Sequence, residues 1–315
     1  MFSALARPYR LCISVVAVIS VLMLALHGCG RSKPERETIK KPDPLWGEFL
    51  ASHTSGVISR GSTIRVVFAT EVAGDRVGKD ASATVAIHPS VNSSIQFANS
   101  REIVITPKME FTPGVTYRVT VKPTNLKGIP ATLKPFEFLV DIKRPEFEVA
   151  VDGLTSDRTH ENALQLKGVL STADAERADK VESLLRANYA GKTAKIDWEH
   201  GADGLRHEFS IHGLQRGMQQ QTLALDWDGK AIGAKATGHN EIAVPPRDQF
   251  IVTQVSTAED QGQRYIRVFF SDTLDPHQDF KGLVRLSQGE PSTRVDGNVL
   301  RVYPDQAFEG QVTLS

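Results

Sequence analysis

From Leu45 onward the apolar residues recur mainly every second position. In Ser62-Thr-Ile-Arg-Val-Val-Phe68, Ile64, Val66 and Phe68 fall on one face, and in Arg101-Glu-Ile-Val-Ile-Thr106 so do Ile103 and Ile105. In Tyr117-Arg-Val-Thr-Val-Lys122, Tyr117, Val119 and Val121 point inward while Arg118, Thr120 and Lys122 face water. Successive side chains leave opposite faces of a pleated strand, so this alternation predicts half-buried β-strands. Turn formers separate the runs: Arg60-Gly61, Asn99-Ser100 and, most strongly, Thr112-Pro113-Gly114. Short alternating strands at this spacing predict an all-β fold of tandem Ig-like β-sandwich domains.

The pattern also repeats. Thr63-Ile-Arg-Val-Val-Phe68 corresponds to Tyr265-Ile-Arg-Val-Phe-Phe270, and Ile103-Val-Ile-Thr-Pro107 with Phe111 and Gly114 corresponds to Leu300-Arg-Val-Tyr-Pro304 with Phe308 and Gly310. Inward apolar positions and strand-ending prolines match together, which makes this an internal repeat of one module type. Two such modules flank a different central segment, bounded by Lys143-Arg144-Pro145 and Val244-Pro245-Pro246-Arg247. Pro145 and Pro245 are expected to mark flexible or semi-rigid joints. Within the central segment, Thr222-Leu-Ala-Leu-Asp-Trp227 reads as a strand. Residues 172–189 carry Val181, Leu184 and Leu185 after a Ser/Thr/Asp-bearing start, which predicts a short helix crossing over within a sandwich. Trp198 and Trp227 are expected in the core of that domain.

The beginning of the chain has a different character. Arg7 and Arg10 precede an uncharged, almost wholly apolar stretch at residues 11–26, the arrangement of a secretory signal. It ends Leu26-His27-Gly28-Cys29, which matches a bacterial lipobox. A small residue, Gly28, precedes a thiol, Cys29, that would be alkylated by a diacylglyceryl group and become the acylated N-terminus. The alternative is an uncleaved anchor, since residues 11–30 are long enough to span a bilayer. Either way the body lies outside the cytoplasm, and Gly30 rather than Asp after the cysteine favours the outer membrane. Residues 31–44 hold five basic residues, three acidic residues and three prolines, with Ile39 the one apolar residue besides them, and read as a solvated tether.

The expected organisation is therefore a signal peptide at 1–28, a lipidated Cys29 and flexible tether at 29–46, an Ig-like sandwich at 47–143, a second sandwich at 144–246 that would hold the short helix, and a third, truncated Ig-like β domain at 247–315. The chain stops within a strand-like Gln311-Val-Thr-Leu314, where Val312 and Leu314 would occupy the places of Val115 and Tyr117. This predicts that the third domain continues in a longer protein.

Composition narrows the chemistry. Lys+Arg and Asp+Glu each number 37 in 315 residues, so the basic field that nucleic-acid binding requires is missing. Cys12 and Cys29 are the two cysteines, which excludes a disulfide scaffold, a cysteine zinc site and an iron–sulfur cluster. His160, His200, His207, His212 and His239 fall in the central segment without the spacing of a helical metal motif. They read as surface or turn histidines, with His207 and Ser210 on opposite faces of a strand. Asp226-Trp227-Asp228-Gly229 lacks the later ligands of a calcium loop and reads as an Asp-Gly hairpin turn. Asp272, Asp275 and Asp279 around Pro276 offer a candidate calcium site at a domain junction or, alternatively, a solvated loop. No nucleophile elbow, phosphate loop or dinucleotide fingerprint occurs, so no catalytic residue and no cofactor is expected.

The lipobox, the tether, the Ig-like modules, and Leu274-Asp275-Pro276 with Asp279-Phe280 after Ile266-Arg-Val-Phe-Phe270 together resemble the N-terminal region of bacterial α2-macroglobulin family lipoproteins. Pro113-Gly114, Tyr117 and Val119 resemble the "Pro-Gly-x-x-Tyr-x-Val" of bacterial Ig-like domains. The resemblance implies a membrane-anchored protease trap whose partners are proteases, reached through parts of the protein beyond this chain, and a membrane, reached through the lipid. The cysteines are Cys12 and Cys29, so the thioester that many members carry cannot be matched here, and neither can a bait region. Two other readings stay open: an envelope scaffold or adhesion lipoprotein of Ig-like modules, and an envelope enzyme whose catalytic domain follows them.

Overall fold

The computed structural model describes residues 39, 41–287, 289–305 and 313–314. Gly28, Cys29, the rest of the leader and most of the tether lie outside them, as do Phe308 and Gly310. Residues from Pro42 onward form one unit, built of three successive groups of sheets.

A one-turn helix α1 (Trp46–Phe49) leads into β1 (Leu50–His53), β2 (Gly56–Ile58), β3 (Ile64–Phe68), β4 (Val85–His88), β5 (Ser93–Asn99), β6 (Glu102–Pro107), β7 (Thr116–Val121) and β8 (Phe136–Ile142). They make two four-stranded sheets, β1-β3-β6-β5 and β2-β8-β7-β4. All neighbours are antiparallel except β2 with β8, which are parallel. The alternating residues close the sandwich: Ile64, Val66, Phe68, Ile103 and Ile105 from one sheet meet Tyr117, Val119, Val121, Phe138 and Val140 from the other in one core. Each such side chain contributes about 1.5–3 kcal/mol by leaving water. The core begins earlier than residue 47. Trp46, expected at the end of the tether, is buried, donates its indole N–H to the Lys134 carbonyl (2.8 Å), and packs its ring 5.7 Å from Phe136.

The central group comprises β9 (Phe147–Val151), β10 (Thr155–Ser156), β11 (Ala163–Thr172), α2 (Ala178–Glu182), β12 (Leu185–Tyr189), β13 (Lys192–Ala194), β14 (Asp197–His200), β15 (Arg206–Gln215), β16 (Gln221–Asp228) and β17 (Thr237–Val244). One sheet runs β10-β11-β15-β14 with β9 also pairing β11; the other runs β13-β12-β16-β17. The helix expected across 172–189 shrinks to α2, which does cross from one sheet to the other. Its second half is strand β12, because Leu185 and Ala187 are buried while Arg186 and Asn188 are exposed, a period of two rather than 3.6. The tryptophans differ from expectation as well. Trp198 and Trp227 are half-buried at the margin of the core. Trp227 lies across Gly238, its register partner, where a Cβ would come within 2.4 Å of the indole. Phe209 covers Gly168 in the same way. Asp228-Gly229 is not a hairpin turn: Asp228 accepts the Lys230 N–H (2.9 Å) and caps a 3-10 helix, Gly229–Ile232.

The third group is one sheet of β18 (Val252–Asp260), β19 (Gln263–Phe270), β20 (Ser292–Asp296) and β21 (Val299–Tyr303), ordered β18-β19-β21-β20. This is the order β1-β3-β6-β5 of the first group, and the correspondence extends to single hydrogen bonds. Ile64 pairs Ile105 and Val66 pairs Ile103; Ile266 pairs Val302 and Val268 pairs Leu300. The register slips between Leu50 and Ser52 in β1, and between Val252 and Gln254 in β18. Phe68 N–H to Arg101 carbonyl (2.8 Å) is matched by Phe270 N–H to Asn298 carbonyl (2.9 Å). Val72 N–H to Ser100 carbonyl (2.8 Å) is matched by Leu274 N–H to Gly297 carbonyl (2.9 Å). The repeat read from apolar spacing is thus a repeat of bulge, register and turn. The chain is a tandem array of Ig-like β-sandwich domains. Leu314 bridges Leu286, as Val119 pairs Ile87. This bridge puts the end of the chain beside the loop after β19, and Val312 lies outside the described residues.

Candidate functional site

Two features stand out from the strand framework: the contacts across the proline stretches, and two histidine clusters of the central group. The first stretch is bridged from a distance in sequence. Arg60, in the turn after β2, gives its backbone N–H to Asp174 Oδ2 (2.9 Å). Its guanidinium donates to both carboxylate oxygens of Glu176, at 2.8 and 3.0 Å, and to the Ala175 carbonyl. Glu176 raises the pKa of Arg60 further. Burial pushes the Asp174 carboxyl up, but hydrogen bonds from Ser59, the Arg60 N–H and the Ala175 N–H outweigh it and hold Asp174 below the usual range. Lys143 Nζ reaches the Ala173 carbonyl at 3.1 Å.

The second stretch is gathered by Arg216, which follows β15 and is nearly buried. Its Nε donates to the Pro245 carbonyl (3.1 Å), Nη1 to the Ser271 carbonyl (2.9 Å) and Asp272 Oδ1 (2.5 Å), and Nη2 to the carbonyls of Pro246 (2.5 Å) and Gln249 (3.0 Å). All five N–H donors of the guanidinium are engaged. Asn298 adds a buried amide that donates to the Leu154 and Phe270 carbonyls, at 2.9 and 2.6 Å, and accepts the Ser156 N–H (2.8 Å). These polar contacts bridge both of the joints expected to be flexible or semi-rigid.

The aspartates of the loop after β19 do not converge. Asp272 belongs to Arg216, Asp275 caps the N–H of His277 (2.9 Å), and Asp279 caps that of Lys281 (2.9 Å). Each carboxylate organises its own turn, so the calcium reading has no common centre. His239 lies on the surface between Asp226 (2.7 Å) and Glu241 (3.3 Å), whose hydrogen bonds, Asp226 first, raise its pKa.

The remaining histidines depart from the surface reading. His207 is buried, donates Nε2–H to the Gly204 carbonyl (3.2 Å), and faces His200 with their Nδ1 atoms 2.8 Å apart. His200 in turn meets Glu182 (3.1 Å) and stacks on Trp198. Burial first, then the neighbouring His200, lowers the pKa of His207. A second cluster joins Asp157, after β10, with His160 and His212. Their ligand-type atoms all lie within 4.8 Å of one another. Asp157 is wholly buried. Burial pushes its carboxyl up, but the Thr159 hydroxyl, the N–H groups of Gly213 and Thr159, and His212 outweigh that and hold it far below the usual range. Neither cluster shows in the spacing of the histidines: 55 residues separate Asp157 from His212, and His200 meets His207 because β14 pairs β15. Ser210 lies on the face opposite His207, as expected, and bonds His212 Nε2 (3.1 Å). Among the described residues no helix is long and apolar enough to cross a membrane.

Residues 50–138 match the model of a bacterial Ig-like domain. No curated protein matches the chain. Among solved structures, it is similar to the human desmocollin-1 ectodomain, at 13% identity over 85% of this chain and 57% of that one, with a TM-score of 0.21. A three-domain Ig fragment of titin matches at 6% identity over 80% of this chain and 85% of that one, with a TM-score of 0.21.

Proposed function

We propose that the chain is a non-catalytic, lipid-anchored scaffold of the bacterial envelope, forming the N-terminal anchoring end of an α2-macroglobulin-like protease trap. The observation that carries the scaffold reading is the bracing of both proline stretches. A hinge would leave the linker carbonyls to water, whereas Arg216 takes up three of them and the Ser271 carbonyl after β19, and Arg60 grips Glu176 with both arms of its fork. Tandem sandwiches joined in this way hold a fixed spacing, which suits a stalk that carries a larger machine away from a membrane.

The finer reading is supported by the loop that carries the family resemblance. Leu274 is buried in the third core, Asp275 and Asp279 cap successive turns, and Phe280 packs back onto the sheet. Four of the residues that bear the resemblance, Leu274, Asp275, Asp279 and Phe280, thus have a folding task, which supports reading them as a framework. The match of residues 50–138 to a bacterial Ig-like domain favours the second reading, a scaffold or adhesion lipoprotein without a trap.

Two measurements separate these. A Cys29→Ser variant should lose incorporated fatty acid and accumulate as precursor; unchanged labelling and processing would overturn the anchor. The native protein, extracted from membranes in detergent, should reduce digestion of a large protein substrate by added protease while sparing a small peptide substrate. Undiminished digestion of the large substrate would overturn the trap and leave the scaffold.

A further inference from the structure

Strand β15 contains a bulge at the point where it crosses β11. Leu164 pairs Leu214 and Leu166 pairs Ile211, so Gln165 alone faces His212 and Gly213. The extra residue kinks the strand and re-aims His212. Gly213 takes the positive φ of 69° that the kink requires, and its freed N–H is taken by Asp157 Oδ2 at 2.8 Å. A Cβ on Gly213 would sit 3.7 Å from the His160 ring, which lies over it.

Two imidazole nitrogens therefore converge on one buried carboxylate. His160 Nδ1 is 3.0 Å from Asp157 Oδ2, and His212 Nδ1 is 3.3 Å from Asp157 Oδ1. Ligands about 2.0–2.1 Å from a tetrahedral zinc ion lie roughly 3.3 Å from one another. Beyond the carboxylate, the second nitrogen of His212 is held by Ser210 Oγ (3.1 Å), the outer contact that fixes a ligating imidazole. A hydroxyl can accept from Nε2–H as readily as donate to Nε2, so His212 can turn its lone pair at Nδ1 toward an ion without losing this bond. His160 is half exposed, which leaves a side open to entry and to a water ligand.

We propose that Asp157, His160 and His212 bind one zinc-like divalent cation. Two nitrogens and one carboxylate oxygen suit such an ion better than calcium, which prefers six to eight oxygens. The ion would fasten residues 157–162 to β15. The neighbouring residues Ser156 and Arg158 contact Asn298, Thr273 and Asp296 of the third group, so the same clamp would stiffen the second junction.

The test uses the full chain in detergent, stripped with chelator and then given Zn2+ or Co2+ alone. About one ion per chain should co-elute on gel filtration, and Co2+ should show the visible absorption of a tetrahedral site. His160→Gln and His212→Gln should each weaken binding by at least about tenfold, while the chelator-treated variants keep the circular dichroism of the parent. His239→Gln, in a separate histidine–carboxylate cluster, should bind as the parent does. Zn2+ should also slow hydrogen exchange at residues 157–162. Absence of a stoichiometric ion would overturn the proposal, as would binding that survives both glutamine variants or is lost in His239→Gln.

Discussion

Replacing Arg216 by Met keeps most of the aliphatic stem and removes the guanidinium that gathers the second proline stretch. Its five acceptors then lose this donor; the Pro246 carbonyl keeps the Gln249 N–H (3.3 Å) and the Gln249 carbonyl keeps the Ser271 hydroxyl (2.8 Å), which leaves the carbonyls of the buried residues Pro245 and Ser271 to bear most of the loss. An unsatisfied buried acceptor costs about 1–3 kcal/mol, and breaking a buried pair by deleting one partner costs about 3–5 kcal/mol. Asp272 is about two-fifths exposed, so water recovers much of its share. A loss of about 3–5 kcal/mol at the junction is the expected outcome. Arg216→Lys keeps the charge but has three donors from a single atom, and should lie between parent and Met. Three groups of sheets need not unfold as one, so a single denaturation midpoint is the wrong readout. Hydrogen exchange at residues 249–251 and 271–274 reports the junction directly. At about 1.4 kcal/mol per factor of ten, exchange there should accelerate by roughly two to three orders of magnitude in Arg216→Met, and limited proteolysis should open near Arg247. Exchange within about threefold of the parent, with the linker still resistant, would refute the brace.

Two further outcomes follow from the central group. Gly168→Ala should destabilise more than Gly238→Ala. A Cβ at 168 would meet Phe209 Cζ at 2.3 Å and the Ala150 backbone oxygen at 2.6 Å, whereas at 238 it meets the half-exposed Trp227 ring. Overpacking of this kind costs about 1–3 kcal/mol, and an equal loss of hydrogen-exchange protection across the central group in the two variants would contradict the packing described. Stability should also depend on pH through His207, whose folded pKa is lowered. Below the ordinary histidine value of about 6.5 the unfolded chain takes up a proton that the folded chain resists, so stability is complete above that pH and falls as pH drops beneath it. His207→Gln should flatten this part of a pH series of thermal melts, and an unchanged slope would remove His207 as its source.

The strands and their repeat were legible because burial on one face imposes a local period, and a period survives in the sequence whatever lies opposite. Ile64, Val66 and Phe68, or Ile266 and Val268, declare their faces without a partner. The same rule explains the errors. Residues 172–189 have good helix formers, yet Leu185 and Ala187 satisfy both a helical and an alternating pattern over so few positions. Pairing with β16 decides between them. Hydrophobicity alone puts Trp198 and Trp227 inside, but the Trp227 ring is placed by covering Gly238 on the next strand, and Trp198 by pairing with Phe209 and stacking on His200; which residue lies opposite is a matter of register.

Sites are harder to read because they are made of contacts that no period encodes. Asp174 and Glu176 carry no mark that Arg60 will reach them, more than a hundred residues away. The proline stretches look like joints when read alone, since proline supplies stiffness but removes N–H donors, and the stabilising partners come from other strands. Gly213 was the one local signal available at the histidine cluster: a glycine inside an alternating strand marks a bulge or a close approach. Followed through, it would have asked what the bulge re-aims, and the next residue back is His212. The position of a glycine within a strand is therefore a better guide to a site in this fold than the spacing of the histidines themselves.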